Sequence, residues 1–512
     1  LTSLPRSVDQ ALIKPEKPHA IVIGSGFGGL AAAVRLGARN YNVTVLEKLD
    51  KPGGRAYVYK QDGFTFDAGP TIITAPFLLE ELWELCGRNF KEEIDLRLMK
   101  PYYQIRFDDG ETFNYSGNIE QTKEEIRKFN PDDVAGYERY LKMSERIFKV
   151  GFQQLGHVPF NSFTDMLRII PDMLTLHSYK TVYGMVSKFI RDKRLRIVLS
   201  FHPLLIGGNP LTATSIYSLI SFLELKWGVH SVMGGTGKLV NGLASLIKQQ
   251  GNQIQCNSEV QRILIDNKKA VGVELKNGET IKADVVVSNA DAAWTYKNLL
   301  PENLPRHWNA KRVEKANYSN GLFVWYFGTK RTYPDVKHHT IALGPRYQGL
   351  LNDIFKHKIL AKDFSLYLHR PTATDPSLAP DGCDSFYVLS PVPNLAADID
   401  WKKEAEPYRQ AIEKRLSETI LPDLKNQLVT SFVTTPLDFQ NRLLSYRGAG
   451  FSLEPLLRQS AWFRPHNKCN DIKNLFFVGA GTHPGAGVPG VLSSAKVLDT
   501  VVPDAKVYQY AN

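Results

Sequence analysis

The sequence predicts a Rossmann-like α/β dinucleotide-binding domain with an α+β substrate domain inserted into it. Three observations carry this: a glycine-rich turn between an apolar run and a helix near the start, a second such turn near the end, and mixed helical and alternating patterns between them. At 512 residues the chain exceeds what one hydrophobic core usually serves, so two domains are expected.

Residues 20–23 form an apolar run suited to a buried parallel strand, and Gly24, Gly26 and Gly29 follow in GxGxxG spacing within GSGFGG. Gly24 permits the tight turn, and Gly26 lets the backbone approach a pyrophosphate. Gly29, followed by Ala31, Ala32 and Ala33, lets the helix pack closely on the sheet. The helix start offers free N–H groups and a partial positive charge to phosphates, with Ser25, Phe27 and Gly28 lining the same turn. A second strand over 43–46 ends at Glu47, where an acid can meet a ribose hydroxyl. Beyond Glu47 and Lys48, KPGGR places Gly54 and Arg55 where a second turn brings a guanidinium to the pyrophosphate or the ring edge.

Residues 56–70 read as a hairpin turned at Asp62 and Gly63 that ends in DAGP, and 77–86 as a helix covering the sheet. A second hairpin over 101–115 turns at Asp109 and Gly110, and helical texture follows over 120–128, 132–150 and 163–176. The stretch 197–223 lacks Asp, Glu, Lys and Arg, but Pro203, Gly207, Gly208, Asn209 and Pro210 break its middle. It therefore predicts two short apolar helices around a turn, lining a core or a greasy channel, and no transmembrane helix.

From about Trp227 the pattern gives a helix, a strand, a hairpin turned at Asn277 and Gly278, and a buried strand over 284–287. The glycines near Lys238 fail P-loop spacing. Strands over 319–328, 365–368 and 384–393, with a charged helix over 401–418, predict an antiparallel sheet flanked by helices. Over 474–490 a buried strand delivers Gly479, Gly481, Gly490 and Val491 to a helix start, a second site for a negatively charged ligand.

The expected organisation is a mobile leader over 1–18, cofactor-domain segments over 19–100, 227–300 and 456–502, substrate-domain segments over 101–226 and 301–455, and a tail over 503–512. A formal charge of +11 suits an anionic surface, and with no nucleic-acid motif this points to a membrane. Cys86, Cys256, Cys383 and Cys469 have no metal-ligand spacing and fit a reduced, cytoplasmic compartment.

Glu47 followed by GGR resembles the FAD-dependent amine oxidase and carotenoid desaturase superfamily. The segments LEKLDKPGGRAYVY, GFTFDAGPT, SFHPLLIGGNPLTATSIYSLI, SAWFRPHN and VGAGTHPGAGVPGV extend the resemblance to the bacterial phytoene desaturase family over residues 18–502. The resemblance implies an amine oxidase/GDP-dissociation-inhibitor-like fold, noncovalent FAD, Gly69 and Pro70 beside the flavin, and Val260 at the edge that reads adenine. It implies an enzyme that desaturates phytoene and partly desaturated carotenoids towards lycopene. It would sit as a peripheral, monotopic protein on the cytoplasmic side of a membrane, with a quinone or dioxygen as electron acceptor.

Carotenoid isomerases, carotenoid oxidases or ketolases, and non-enzymatic prenyl-lipid chaperones share the superfamily look. The intact Glu47 and Arg55 motif with VGAGT argues against the chaperone. For the proton that desaturation releases, Asp165 and Arg168, at i and i+3 in SFTDMLR, form a candidate base and its tuning cation, and His483 is an alternative acceptor.

Overall fold

The computed structural model describes residues 17–160, 162–304, 307–361 and 363–509. The expected leader lies outside these residues apart from its last two, as do the final three residues of the tail.

The glycine-rich head builds the centre of a five-stranded parallel sheet. Strand His19–Ile23 pairs on one side with Asn42–Leu46, then Gln253–Gln255, and on the other with Val285–Ser288, then Leu475–Phe477. Both faces are covered, as all-parallel sheets require, and the strands are accordingly near-continuous apolar runs. Helix Phe27–Ala38 packs through its alanine face, with Leu30 to Ala33 fully buried, and lies against helices Gly237–Gln249 and Val488–Val501. Gly29 allows that approach: a β-carbon there would stand 2.0 Å from the Gly24 carbonyl oxygen.

The hairpin Val58–Gln61/Phe64–Asp67 turns at Asp62 and Gly63 as expected. Its last residue, Asp67, fills the loop that imitates a phosphate site: both carboxylate oxygens accept the Thr236 amide, at 3.0 and 2.9 Å. Burial raises the Asp67 pKa to about 6 against the lowering effect of these bonds.

The turn at Asn277 and Gly278 joins Lys269–Leu275 to Thr280–Lys282, and an earlier hairpin pairs Val260–Asp266 with Lys269–Leu275. That earlier turn runs through Asn267 and Lys268, both at positive φ (46° and 59°), with no glycine to announce it.

The second sheet has seven strands in the order Leu428–Thr434, Gly321–Thr329, Asp384–Val392, Leu366–His369, His339–Ala342, Tyr103–Arg106 and Thr112–Tyr115. It is mixed, not purely antiparallel: His339–Ala342 runs parallel to Tyr103–Arg106, with Thr340 opposite Gln104. Strand Gly321–Thr329 shows what this sheet does. Phe323, Trp325 and Phe327 point to one face, beneath helix Trp401–Thr419, while Leu322, Val324 and Tyr326 point to the other, where they line a cavity.

The uncharged stretch folds as the end of helix Lys193–Ser200, single helical turns at His202–Ile206 and Ser215–Ser218, and the start of helix Leu219–Trp227. Among the described residues, no helix is long and apolar enough to cross a membrane.

Candidate functional site

A cavity of about 560 Å³ is lined by residues of both sheets. Its polar end is the glycine turn. Gly24 adopts φ +88°, which only glycine reaches without strain, and Gly26 forms the extended N-cap of helix Phe27–Ala38. The Glu47 carboxylate closes on this turn: Oε2 accepts the Ser25 amide (2.8 Å) and hydroxyl (2.5 Å), and Oε1 the Leu49 amide (2.9 Å).

The GGR turn is seated directly on the first one, because a β-carbon on Gly54 would lie 3.2 Å from the Gly26 Cα. It delivers Arg55 into the cavity wall. One guanidinium nitrogen donates to Ser445 Oγ (3.0 Å), while Nε is buried with no hydrogen-bond partner. Burial pulls the Arg55 pKa down, opposed by the nearby Asp291 carboxylate. Asp291 is itself pushed up by burial, which outweighs the Arg55 charge.

The C-terminal turn closes the same end. A β-carbon on Gly28 would lie 3.1 Å from the Gly479 backbone and 2.6 Å from Asn289 Oδ1, and Gly479 itself has φ +97°. The two glycine-rich segments therefore meet face to face.

Of the residues singled out from sequence, Gly24, Ser25, Gly26, Phe27, Gly28, Glu47, Lys48, Gly54, Arg55, Gly69, Pro70, Val260, Gly479, Gly490, Val491 and His483 stand on this one wall. Gly29 and Gly481 do not; both are packing positions. A β-carbon on Gly481 would meet Ala292 Cβ at 2.7 Å.

Asp165 and Arg168 are corrections. Asp165 is the third residue of helix Phe163–Arg168 and closes a capping box, its carboxylate accepting the Ser162 amide at 3.0 Å. Arg168 is 81% exposed, and its closest approach to Asp165 is 3.9 Å. Neither residue reaches the cavity wall. The helical spacing was read correctly, but it served the helix start, where an acid is stabilised for local reasons.

His483 does face the cavity. Its Nε2 bonds to the Leu155 carbonyl oxygen (3.1 Å), its Nδ1 is buried without a partner, and burial lowers its pKa to about 4. It stays neutral near pH 7 and is a weak base there.

The remaining wall is apolar and is built largely by the uncharged stretch, through Leu204, Leu205, Ile216, Ile220 and Leu223, with Leu343 opposite. Sequence reasoning missed one carboxylate in this wall, Glu224. Its partners are Tyr103, 121 positions away, and His202, 22 positions away, so no local spacing signals it.

It also missed a polar chain on the sheet face. Thr71 Oγ1 lies 2.5 Å from the Tyr387 hydroxyl and 3.3 Å from that of Tyr367, which is 2.7 Å from His339 Nδ1. Behind it, His338, His339 and His369 bring ring nitrogens within 4.8 Å of one another. Burial holds all three imidazoles below their ordinary pKa, His338 at about 4 with help from the Arg370 charge. That neighbouring guanidinium also opposes a cation among them.

The donor set fits a dinucleotide with an anionic middle: glycine faces that no side chain fills, a helix start, and an enclosed guanidinium with an unused N–H. Comparison with known proteins agrees. Residues 27–497 match the model of the flavin containing amine oxidoreductase family. A neurosporene-forming phytoene desaturase of Cereibacter sphaeroides is 48% identical over 492 residues, covering 95% of each chain. A lycopene-forming phytoene desaturase of Pseudescherichia vulneris is 50% identical over 483 residues, 94% of this chain and 98% of the relative. In fold, the chain is similar to cyclohexylamine oxidase from Brevibacterium oxydans, with a TM-score of 0.61 at 15% identity, over 96% of this chain and 100% of that one. The cofactor of this site is FAD. The chain belongs to the flavin-containing amine oxidoreductase family and, within it, to the bacterial phytoene desaturases.

Proposed function

We propose that this protein introduces double bonds into phytoene and partly desaturated carotenoids, with lycopene as its product, while resting peripherally on the cytoplasmic face of a membrane. The observation that carries the reading is one cavity whose wall joins a glycine cradle to an apolar surface of Leu204, Leu205, Ile216, Ile220 and Leu223. Bound FAD supplies a two-electron hydride acceptor, and a quinone or dioxygen takes the electrons onward.

The protein's own work is positioning. Gly24, Gly26, Gly28 and Gly479 make the close approach for the pyrophosphate and ring, and Arg55 neutralises anionic charge. The aliphatic wall holds a nonpolar chain and keeps water away from it. Relatives at similar identity form neurosporene or lycopene, so the lycopene product is our reading of the chain and not a property of the family.

Membrane docking has a surface to use. Leu167, Ile170, Leu174 and Tyr179 are exposed large apolar side chains on one helical region, Leu174 at 60%. The same region contributes Phe160 and Ile169 to the cavity wall. A lipid-dissolved substrate entering there never crosses water, and the +11 charge adds attraction to anionic headgroups.

Product analysis tests the proposal. Phytoene in anionic liposomes, incubated with the enzyme and an electron acceptor, is expected to give products with two hydrogens fewer per step, ending at lycopene. Isomerised polyene with an unchanged hydrogen count would replace this reading with an isomerase, and oxygen-bearing products would replace it with an oxidase.

A further inference from the structure

The C-terminal glycine turn is where the cofactor cradle meets the apolar wall. On one side a β-carbon on Gly28 would lie 3.1 Å from the Gly479 backbone. On the other a β-carbon on Gly487 would lie 3.1 Å from Ile206 Cγ2, a side chain of the uncharged stretch. Across the sheet, the strand that precedes Glu47, the strand of the first glycine turn, Val285–Ser288 and the strand of the last turn follow one another in that order. A dinucleotide laid with its ribose at Glu47 and its pyrophosphate at the first turn extends towards the last one. A flavin ring that must touch both the cradle and a nonpolar chain has this turn as its bed.

Behind the turn stands Arg464, from the segment SAWFRPHN, with 1% of its surface exposed. Its Nε donates to the Thr482 carbonyl oxygen at 3.1 Å, and a terminal nitrogen donates to that of Ala480 at 2.7 Å. Its other bonds go to the Leu453 and Gln459 carbonyls, at 3.2 and 3.1 Å. Asn467 of the same segment holds the His483 carbonyl at 2.9 Å. In a trans peptide the N–H points opposite to the C=O, so the Gly481 and His483 amides are turned away from Arg464. Neither amide has an acceptor among the described residues. A β-carbon on Gly485 would lie 3.7 Å from Arg464 Cζ, and the flanking Pro484 and Ala486 line the cavity. One layer of backbone thus separates the guanidinium from the cavity.

Backbone carbonyls satisfy the N–H groups of Arg464, but no carboxylate neutralises its charge. Among the described residues it has no salt-bridge partner, and the Asp291 carboxylate acts on it only from a distance. Burial pulls its pKa down, yet a guanidinium starts so high that it stays charged. Buried charges are ordinarily paired, because an uncompensated one is costly. An unpaired cation behind a cofactor turn is compensated when negative charge arrives in front of that turn.

We propose that Arg464 raises the reduction potential of the bound flavin, holding the C-terminal turn in place and standing behind it as a fixed positive charge. The claim concerns the cofactor and is independent of which polyene is oxidised. Hydride transfer breaks a substrate C–H bond and carries its hydrogen, with both electrons of the bond, to FAD as the oxidant. The ring gains one negative charge, and the substrate carbon keeps the matching positive charge. A cation one backbone layer away stabilises the charged ring and leaves the neutral ring nearly unaffected, so it favours the transfer. The Gly481 and His483 amides, turned away from Arg464 by its hydrogen bonds, are donors available to the same charge.

Reduction of the holoenzyme in equilibrium with a reference dye measures the potential with no substrate present. Arg464→Gln keeps two N–H donors and loses the charge. It is expected to shift the flavin equilibrium towards the oxidised form by roughly tenfold or more, about 30 mV for a two-electron couple. Arg464→Lys keeps the charge and gives up hydrogen bonds, and should stay within about threefold of wild type. A residue that only clamped the turn would lower flavin content or stability in both variants and leave the potential of the bound flavin alone. Both variants at the wild-type potential, or both shifted alike, would therefore overturn the proposal. If Arg464→Gln retains no FAD, the wild type decides: its bound FAD should be roughly tenfold or more easier to reduce than free FAD at the same pH. A bound potential at or below that of free FAD would overturn the proposal.

Discussion

Gly28 and Gly479, 451 positions apart in the chain, are in backbone contact: a β-carbon on Gly28 would stand 3.1 Å from the Gly479 nitrogen and Cα. The strands that deliver the first and last glycine turns flank Val285–Ser288 in one sheet, and the contact makes a single cradle of the turns. Gly28→Val is expected to purify with flavin reduced to below about a tenth of the protein, because a branched side chain has no room without moving backbone. The visible absorbance ratio of the purified variant measures it, and full occupancy would remove the cradle from the account.

Arg55 is the charged half of that cradle. With one guanidinium nitrogen on Ser445 and Nε unused, its loss leaves the anionic cofactor short of at least one charge-assisted hydrogen bond. Arg55→Ala should weaken FAD binding by roughly 10- to 100-fold, and Arg55→Lys by less. Titration of the apoprotein with FAD, followed by flavin fluorescence, reads the difference.

The cradle was legible from sequence because its spacing is local. Each glycine turn, the acid at the end of the second strand and the GGR that follows lie within a few residues of one another, and the sheet only had to bring two such segments together. The strands His339–Ala342 and Leu428–Thr434 were not legible. The first is four residues long and borders a parallel neighbour far away in the chain, and the second has a mixed burial pattern. Glu224 escaped for the same reason: its meaning lies in Tyr103 and His202, which reach it only through tertiary packing. The reverse error occurred at Asp165, where a local spacing was given a catalytic meaning although local capping already accounts for it.

Asp165→Asn is accordingly expected to leave turnover within about twofold of wild type, since the side chain does not reach the cavity. Asp165→Ala should cost no more than about 1 kcal/mol of stability, the usual value of a lost capping interaction. A loss of turnover of tenfold or more in Asp165→Asn, with flavin content normal, would restore the residue as a base.

Asp67 gives a pH signature. Its folded pKa is raised to about 6, so between the unfolded value near 4 and about 6 the folded protein binds the extra proton. Its contribution to stability is then fully present below the unfolded pKa and is lost as pH rises through 6. Relative to Asp67→Asn, which keeps an oxygen for the Thr236 amide, wild type should lose up to about 3 kcal/mol between pH 4 and pH 7. Urea unfolding of both proteins at the two pH values measures the difference, and parallel curves would contradict the burial assigned to this carboxylate.

The proposed lipid face makes a further separation. Binding to anionic liposomes should weaken with salt yet leave a residual fraction, because charge attraction is screened and apolar burial is not. Leu174→Asp should remove that residual fraction while leaving FAD binding intact. Cosedimentation that ignores both lipid and salt would place the substrate entrance elsewhere.

The central claim is that one cavity brings an oxidising flavin to a nonpolar chain, and anaerobic mixing tests it most directly. Oxidised holoenzyme mixed with phytoene-loaded liposomes, with no other electron acceptor present, should lose its visible flavin bands. The bleaching should equal, mole for mole, the double bonds gained by the polyene. Polyene that changes while the flavin spectrum stays oxidised, or a flavin that stays oxidised beside unchanged phytoene, would contradict the account.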